Sequence, residues 1–169
     1  DRASRAQPSL WRETVKAGAV RSGALVTAIT LFIATLLMAL ALASYRPGDG
    51  SLNTAAASTA NLVGAPGAWF ADLALTIFGP AVALLLPIPP IIALRLWRDQ
   101  PAGAWKRMLR NATFGVALMA VALGCVSDGA VLALPFGWGG AVGLGGVAAA
   151  RWALAFANNP QVTLSLIHI

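Results

Sequence analysis

Few side chains in this sequence could take part in chemistry, and most of them stand alone among apolar neighbours. Asp72, Asp128 and Arg151 are the ionisable residues that interrupt long apolar stretches. Charged groups that carry ions or protons through a membrane are usually deep in it and paired with one another. These three show no such pairing and lie near the ends of their stretches, so they do not predict a proton or ion relay.

The remaining reactive residues give no catalytic pattern either. Cys125 is the single cysteine, which excludes an intrachain disulfide and a cysteine-based metal cluster. His168 is the single histidine and has no partner residues for metal binding or base catalysis. The patterns G-x-x-x-x-G-K-[ST], H-E-x-x-H and C-x-x-C do not occur, and the glycines of "GWGGAVGLGG" do not fit a dinucleotide loop. We therefore predict that this chain is not an enzyme, with no catalytic, cofactor-binding or metal-binding residue.

Asp72 lies in the apolar stretch "NLVGAPGAWFADLALTIFG". Gly64, Pro66 and Gly67 predict a turn that leads into a helix. Asp72 follows within about 8 Å along the helix axis, where the positive end of the helix dipole favours a carboxylate. We interpret Asp72 as a hydrated carboxylate that marks the start of a membrane helix.

The composition defines the elements that hold these residues. Hydrophobic residues make up 58% of the chain and charged residues 11%, whereas about a quarter of an ordinary soluble domain is charged. So few charges cannot cover a globular surface in water. The sequence predicts an all-α integral membrane protein, a multi-span helical bundle whose first partner is the lipid bilayer.

Hydrophobic runs and breaks divide the chain into segments. We predict a basic N-terminal segment (1–22), either a surface helix or a disordered tail, and a transmembrane domain (23–134) with spans at about 23–45, 67–97 and 111–134. Prolines within the second span predict a kink, sharpest at "LLPIPPII". The third span either ends near Asp128 or holds it in the membrane, and the shorter run favours the first alternative.

The C-terminal part is less regular. Residues 135–157 are rich in glycine and alanine, which predicts an outer loop with a shallow or re-entrant helix, or a full fourth span. Gly139 and Gly143 form a small-x-x-x-small pair, a weak signal in a chain with 17 glycines. We expect residues 158–169 to be a truncated tail, and residues 164–169, which match nothing before them, indicate either a truncated or a foreign end.

The distribution of basic residues predicts the orientation. The N-terminal segment and the segment 95–110 each carry five Lys or Arg, whereas the loop 46–65 carries only Arg46. Positive residues collect on the cytoplasmic side of inner-membrane proteins. We therefore predict a cytoplasmic N-terminus, and the net charge of +6 faces anionic headgroups rather than DNA.

Two ordered motifs lie around the first two predicted spans. The first is an S-Y/F-x-P-x-D element that closes span one, and the second an N-L-x-G-x-x-G-A-x-x-A-D-like run that opens span two and ends in F-G. The first is matched by Ser44, Tyr45, Pro47 and Asp49. The second is matched by Asn61, Leu62, Gly64, Gly67, Ala68, Ala71, Asp72, Phe78 and Gly79. In this order and at these positions, the two motifs resemble the N-terminal four-span membrane domain of FtsK/SpoIIIE-type DNA translocases.

The resemblance implies a role in chromosome segregation and cell division. Members of this family anchor a hexameric motor at the division septum of the bacterial inner membrane, where they contact other division proteins and oligomerise. Their motor uses ATP and Mg²⁺ to move DNA. The motor motifs do not occur in this sequence, so we assign no ATP, Mg²⁺ or DNA contact to its residues.

The sequence also departs from the family pattern, because the Gly-rich segment is not followed by a more aliphatic fourth span. We expect a fragment that stops before that span. Two other functions remain open at this point: a small multi-span scaffold or assembly protein without a motor, and a fragment of a transporter.

Overall fold

The computed structural model describes residues 7–52, 54–56, 58–126, 134 and 136–157. In this part of the chain, α-helix is the dominant structure. The helices are α1 (Gln7–Ala43), α2 (Ala65–Phe78), α3 (Ile88–Trp97), α4 (Trp105–Val126) and α5 (Gly140–Ala157), and a 3₁₀ segment (Gly79–Leu85) lies between α2 and α3.

Three stretches are long and apolar enough to cross a membrane: Trp11–Ala43, Ala65–Trp97 and Trp105–Val126. A shorter apolar helix follows at Gly140–Phe156. The fold class predicted from the sequence, three clear membrane helices plus one shallow or fourth helix, is therefore confirmed. Large apolar side chains such as Leu36, Leu118 and Trp152 are exposed, as expected where the surroundings are lipid rather than water.

The first helix is longer than the predicted span. It begins at Gln7 and runs without interruption for 37 residues, so the polar segment that precedes the first apolar run belongs to the same helix. The sequence explains the uninterrupted helix, because no proline lies between Pro8 and Pro47. The Arg, Lys and Ala residues of the N-terminal segment also favour helix. At about 55 Å, α1 exceeds a hydrocarbon core of about 30 Å.

The second span is divided into three pieces. Gly79 ends α2 with φ 61°, and Pro80 follows it at the start of the 3₁₀ segment. Helical geometry is thus lost well before "LLPIPPII", where the sequence predicted the sharpest bend. Pro89 and Pro90 fall in the first turn of α3, where a missing backbone N–H removes no helical hydrogen bond.

The helix of the third span begins earlier than the sequence predicted. Helix α4 begins at Trp105, six residues before the predicted start, and its described part ends at Val126. Asp128 lies outside the described residues, as do 1–6 and 158–169. Because Trp105, Lys106 and Arg107 are helical, part of the predicted basic loop is the first turn of α4.

The helices form two packed groups. Helix α1 packs along α3 and against α2, whereas α4 packs along α5 and against the 3₁₀ segment. The 3₁₀ segment and α4 form a small core of Ala81, Val116 and Ala120, and Phe78 of α2 packs against it. Most residues of the buried interior are alanines or valines. Small side chains let the helix backbones approach closely, which favours helix association in a membrane.

Glycines mediate the contact between α4 and α5. A Cβ atom added to Gly139 would lie 2.5 Å from the carbonyl oxygen of Ala120, and one added to Gly124 would lie 2.9 Å from the carbonyl carbon of Gly143. The small-x-x-x-small pair at Gly139 and Gly143, a weak signal in the sequence, therefore lies at a helix crossing.

The bundle has two polar ends, which we call the loop end and the basic end. The loop end consists of residues 44–64 and the first turns of α2. The basic end consists of the first turns of α1, residues 95–104 and the first turns of α4.

Candidate functional site

Buried polar residues mark the loop end of the bundle. Asp49, Asn61 and Asp72 are at most 5% exposed and are the buried polar or charged residues found in the described part of the chain. Together with Ser44 and Tyr45 they form what we call the loop-end network. All five belong to the two sequence motifs, and the structure brings residues of both motifs together at this end of the bundle.

Asn61 joins the loop to the end of α1. Its side-chain amide donates a hydrogen bond to the carbonyl oxygen of Ala41 at 2.9 Å, and its Oδ1 accepts one from the N–H of Val63 at 3.0 Å. The carbonyl of Ala41 lies in the last turn of α1, where helical carbonyls lack partners within the helix. Asn61 therefore caps α1 from a loop that is 20 residues away in sequence.

Asp49 fixes the shape of the loop itself. Its Oδ1 accepts a hydrogen bond from the N–H of Ala60 at 2.8 Å, which brings the two halves of the loop together. The hydroxyl of Thr54 donates to the carbonyl oxygen of Pro47 at 2.9 Å on the same side. The other carboxylate oxygen of Asp49, Oδ2, is buried and makes no hydrogen bond.

Tyr45 connects the end of α1 to α2. Its hydroxyl donates a hydrogen bond to Oδ1 of Asp72 at 3.2 Å. The pKa of the Tyr45 phenol is raised to about 12, most of all by burial and then by the charge of Asp72, the hydrogen bond to Asp72 and the charge of Asp49. The phenol therefore remains protonated, and a donor to Asp72, throughout the physiological range.

The position of Asp72 differs from the sequence-based interpretation. Asp72 is the eighth residue of α2 and is 2% exposed, so it is covered by protein rather than hydrated at the helix start. The helix dipole acts mainly on the first turn, and Asp72 lies beyond that turn. The hydrogen bond from Tyr45 supplies the stabilisation that water and the dipole were expected to give.

The other motif residues shape the junction between the loop and α2. Gly64 precedes α2 with φ 76°, a value that favours glycine. A Cβ atom on Gly67 would lie 2.5 Å from Oδ1 of Asn61, so only glycine leaves room for that side chain. Ala68 and Ala71 are fully buried beside it. Because these four residues are small, the side chains of the loop-end network can pack directly against the first turns of α2.

Ser44 and Leu62 make the remaining tie between the two motifs. The hydroxyl of Ser44 donates to the carbonyl oxygen of Leu40 at 2.6 Å and accepts from the N–H of Leu62 at 3.1 Å. The side chain of Leu62 is exposed. Leu62 thus takes part through its backbone, and its side chain is free to face the surroundings.

The last motif residues, Phe78 and Gly79, lie elsewhere. Phe78 packs beside the core of Ala81, Val116 and Ala120. A Cβ atom on Gly79 would lie 2.9 Å from the carbonyl carbon of Trp138. Residues of the second motif therefore lie in two places. Most belong to the loop-end network or its junction with α2, and Gly79 contacts the segment that precedes α5. Sequence reasoning missed the part played by Trp138, because nothing local links it to Gly79.

The basic end is held by an ion pair that the sequence did not reveal. Nη1 of Arg21 lies 2.6 Å from Oδ1 of Asp99, and Nη2 of Arg21 donates to the carbonyl oxygen of Trp97 at 3.3 Å. This pair joins α1 to the end of α3. Both side chains are well exposed, and Asp99 adopts φ 60°, which allows its carboxylate to turn back toward α1.

The loop-end network has the chemistry of a structural junction. Its bonds join side-chain donors and acceptors to the backbone ends of α1 and the loop. Among the described residues, no group of three or more His, Cys, Asp or Glu could hold a metal ion. The network can therefore fix the connection between α1 and α2 and keep two carboxylates within the protein.

Comparison with known proteins identifies one family. The family model described as the 4TM region of DNA translocase FtsK/SpoIIIE matches residues 21–169. The match covers all the motif residues of the loop-end network and the junction at Gly79. No curated protein matches the chain, and no solved structure matches it either.

Proposed function

The chain belongs to the family of the 4TM region of DNA translocase FtsK/SpoIIIE, and from this we propose that it anchors a DNA-translocating motor in the bacterial inner membrane. The family match is the observation that carries the proposal. In this role the chain acts mechanically, by holding a cytoplasmic ATPase motor at the division septum during chromosome segregation.

The fold supports an anchor rather than a pathway. Buried ionisable groups that serve transport are expected deep in the membrane and in contact with a route across it. Here Asp49 and Asp72 lie at the loop end, and their hydrogen-bond partners are Ala60 and Tyr45. These bonds make the carboxylates part of a fixed junction, which suits a rigid mount better than a moving carrier.

The charge distribution supports a cytoplasmic basic end. The start of α1 and the connection between α3 and α4 lie together, because Arg21 pairs with Asp99. Both segments are rich in Lys and Arg, and such segments remain on the cytoplasmic side during insertion. In this orientation the N-terminus is cytoplasmic and the loop end faces the outside of the inner membrane.

The partners follow from the same proposal. ATP, Mg²⁺ and DNA would bind the motor and not this chain. The loop end, where the side chain of Leu62 is exposed, would be available to division proteins outside the membrane. Copies of the chain would assemble through the oligomeric motor.

Localisation in living cells tests the anchor role. We expect the chain fused to a fluorescent protein at its N-terminus, expressed at low level in a dividing bacterium, to concentrate at the septum. A membrane protein of similar size outside the division machinery serves as the control and should label the whole envelope. Uniform labelling by the fused chain would contradict the septal role, although it would leave membrane insertion intact.

A further inference from the structure

A polar cavity opens at the basic end, between α3 and α4. It has a volume of about 210 Å³, and its lining includes Arg95 from α3 and Trp105, Arg107 and Asn111 from α4. Two guanidinium groups and an amide thus meet beside an indole ring. Guanidinium groups bind phosphate oxygens through paired N–H donors, and an amide adds a further donor.

The connecting loop positions one of these guanidinium groups. Gly103 has φ 70°, and a Cβ atom added to it would lie 2.5 Å from Nη1 of Arg95. The Arg95 side chain therefore packs directly against the backbone at Gly103. Any larger residue at that position would displace the guanidinium group, so the loop and Arg95 form one unit.

The charge around the cavity is strongly positive. The segment from Arg95 to Arg110 carries five basic residues and a single acidic one, Asp99. The carboxylate of Asp99 points toward α1, where it pairs with Arg21 at 2.6 Å. Asp99 therefore does not neutralise the cations that line the cavity.

Apolar surface adjoins the polar cavity at Trp105. Trp105 also lines a cavity of about 510 Å³ on the surface of α4, together with Leu109 and Phe114. Leu109 in turn lines a groove of about 300 Å³ that runs along α2, the 3₁₀ segment and α3. Trp105 therefore lies at the border between the basic cavity and the apolar surface of α4.

We propose that this surface binds one anionic phospholipid. The headgroup phosphate lies between Arg95 and Arg107, Trp105 lies at headgroup level, and an acyl chain lies on the apolar surface of α4 that Trp105 borders. Basic pockets at the cytoplasmic ends of membrane helices suit such headgroups. An acidic peptide would match the charges, but it would not contact the apolar surface that Trp105 borders, as a single lipid molecule does.

Lipid binding by this surface is independent of the septal role, because it concerns the chain and its bilayer alone. It is measured on the purified chain in a neutral detergent, by native mass spectrometry with phosphatidylglycerol or phosphatidylcholine of the same acyl chains. We expect phosphatidylglycerol to bind about tenfold or more tightly than phosphatidylcholine, since each nearby basic residue contributes to the attraction. Equal binding of the two lipids would overturn the headgroup site.

A matched pair of double variants separates a site from general surface charge. Arg95→Gln with Arg107→Gln should weaken phosphatidylglycerol binding about tenfold or more. Arg12→Gln with Lys16→Gln removes the same charge from the exposed face of α1 and should change binding by less than about twofold, because these residues do not line the cavity. Equal weakening by both pairs would show diffuse attraction and overturn the proposal.

A second pair of variants tests the site without any change in charge. Gly103→Ala should weaken phosphatidylglycerol binding several-fold, because the added methyl group displaces Arg95. Gly64→Ala at the opposite end is the control, since Gly64 has a similar positive φ but no atom lies within 4 Å of a Cβ at that position, and it should bind the lipid as the parent chain does. Unchanged binding by Gly103→Ala would contradict the role of Arg95.

Free headgroup provides the last arm of the experiment. Glycerol phosphate should displace phosphatidylglycerol poorly even in large excess, because it lacks the acyl chains that contact the apolar surface. Displacement at the concentration of the lipid itself would show a site for soluble phosphate and would overturn the phospholipid proposal.

Discussion

The two ends of the bundle use polar residues in opposite ways. At the loop end, Asp49, Asn61 and Asp72 are at most 5% exposed and make hydrogen bonds to the protein. At the basic end, the side chains of Arg21 and Asp99 are 40% and 74% exposed even though they form an ion pair. One end directs its polar groups inward, and the other directs them outward.

The difference assigns different physical roles to the two ends. A buried hydrogen bond is costly to break, because its partner is left without water or protein to replace it. An exposed ion pair contributes little, since water and salt screen it. We therefore expect substitutions at the loop end to change stability, and substitutions at the basic end to change orientation and lipid binding instead.

The largest expected loss of stability follows from Asn61→Ala. It leaves the carbonyl of Ala41 and the N–H of Val63 without their partners, which should lower the free energy of unfolding by about 2–4 kcal/mol. Unfolding in neutral detergent, followed by circular dichroism, measures the change. Leu62→Ala is the control on the neighbouring exposed side chain and should be nearly neutral. Equal stability of both variants would contradict the inward role of the network.

Asp49 gives a smaller effect that separates hydrogen bonding from charge. Asp49→Ala removes the acceptor for the N–H of Ala60 and should lower the free energy of unfolding by about 1–3 kcal/mol. Asp49→Asn keeps an oxygen at that place and should cost less, because the second carboxylate oxygen makes no hydrogen bond. The same unfolding measurement compares them, and a larger loss for Asn than for Ala would refute this assignment.

Tyr45 offers a spectroscopic test of the loop end. It is the only tyrosine in the chain, so the absorbance of phenolate at alkaline pH reports on Tyr45 alone. The pKa should be about 12 in the folded chain and about 10 after unfolding. Asp72→Asn should lower the folded value but leave it above 10, because burial is the larger cause. A folded pKa of 10 in the parent chain would contradict burial of Tyr45.

The same titration fixes the sign of the pH dependence. The pKa of Tyr45 is raised on folding, so its contribution to stability is complete below pH 10 and is lost as the pH rises through 12. Between these values the parent chain should lose stability that Tyr45→Phe does not lose. Parallel curves for the two proteins would argue against a protonated phenol at the junction.

The smallest effect is expected at the basic end. Arg21→Gln breaks the ion pair with Asp99, and an exposed pair of this kind is worth about 0.2–1 kcal/mol. The difference from the parent chain should shrink further in concentrated salt. A loss as large as that of Asn61→Ala, measured in the same unfolding experiment, would remove the contrast between the two ends.

Much of this architecture could be predicted from hydropathy and turn residues. The apolar runs gave three spans, and Gly64 with Pro66 gave the start of α2, because both signals are local in sequence. The break at Gly79 was less accessible. Proline marks where a helix can bend, but it does not indicate the φ of 61° at Gly79 or the close approach of the Trp138 backbone to that residue.

The site was harder to predict than the fold. The motif residues could be listed from the sequence, but the bond between Tyr45 and Asp72 joins residues 27 positions apart, and no periodicity reports such a contact. From the sequence, the carboxylate of Asp72 near the start of α2 is most simply interpreted as hydrated. Only the structure shows that it is buried beside Tyr45. The role of Gly139 and Gly143 was likewise visible only in the structure, where they contact Ala120 and Gly124 of α4.

The most direct test of the anchor asks which end of the bundle faces the cytoplasm. In a Cys125→Ala background, Ala55→Cys places a thiol at the loop end and Gln100→Cys places one at the basic end, both at exposed positions. A membrane-impermeant maleimide should label the first variant in intact spheroplasts and the second only after lysis. Labelling of Gln100→Cys in intact spheroplasts, with Ala55→Cys protected until lysis, would contradict a cytoplasmic basic end.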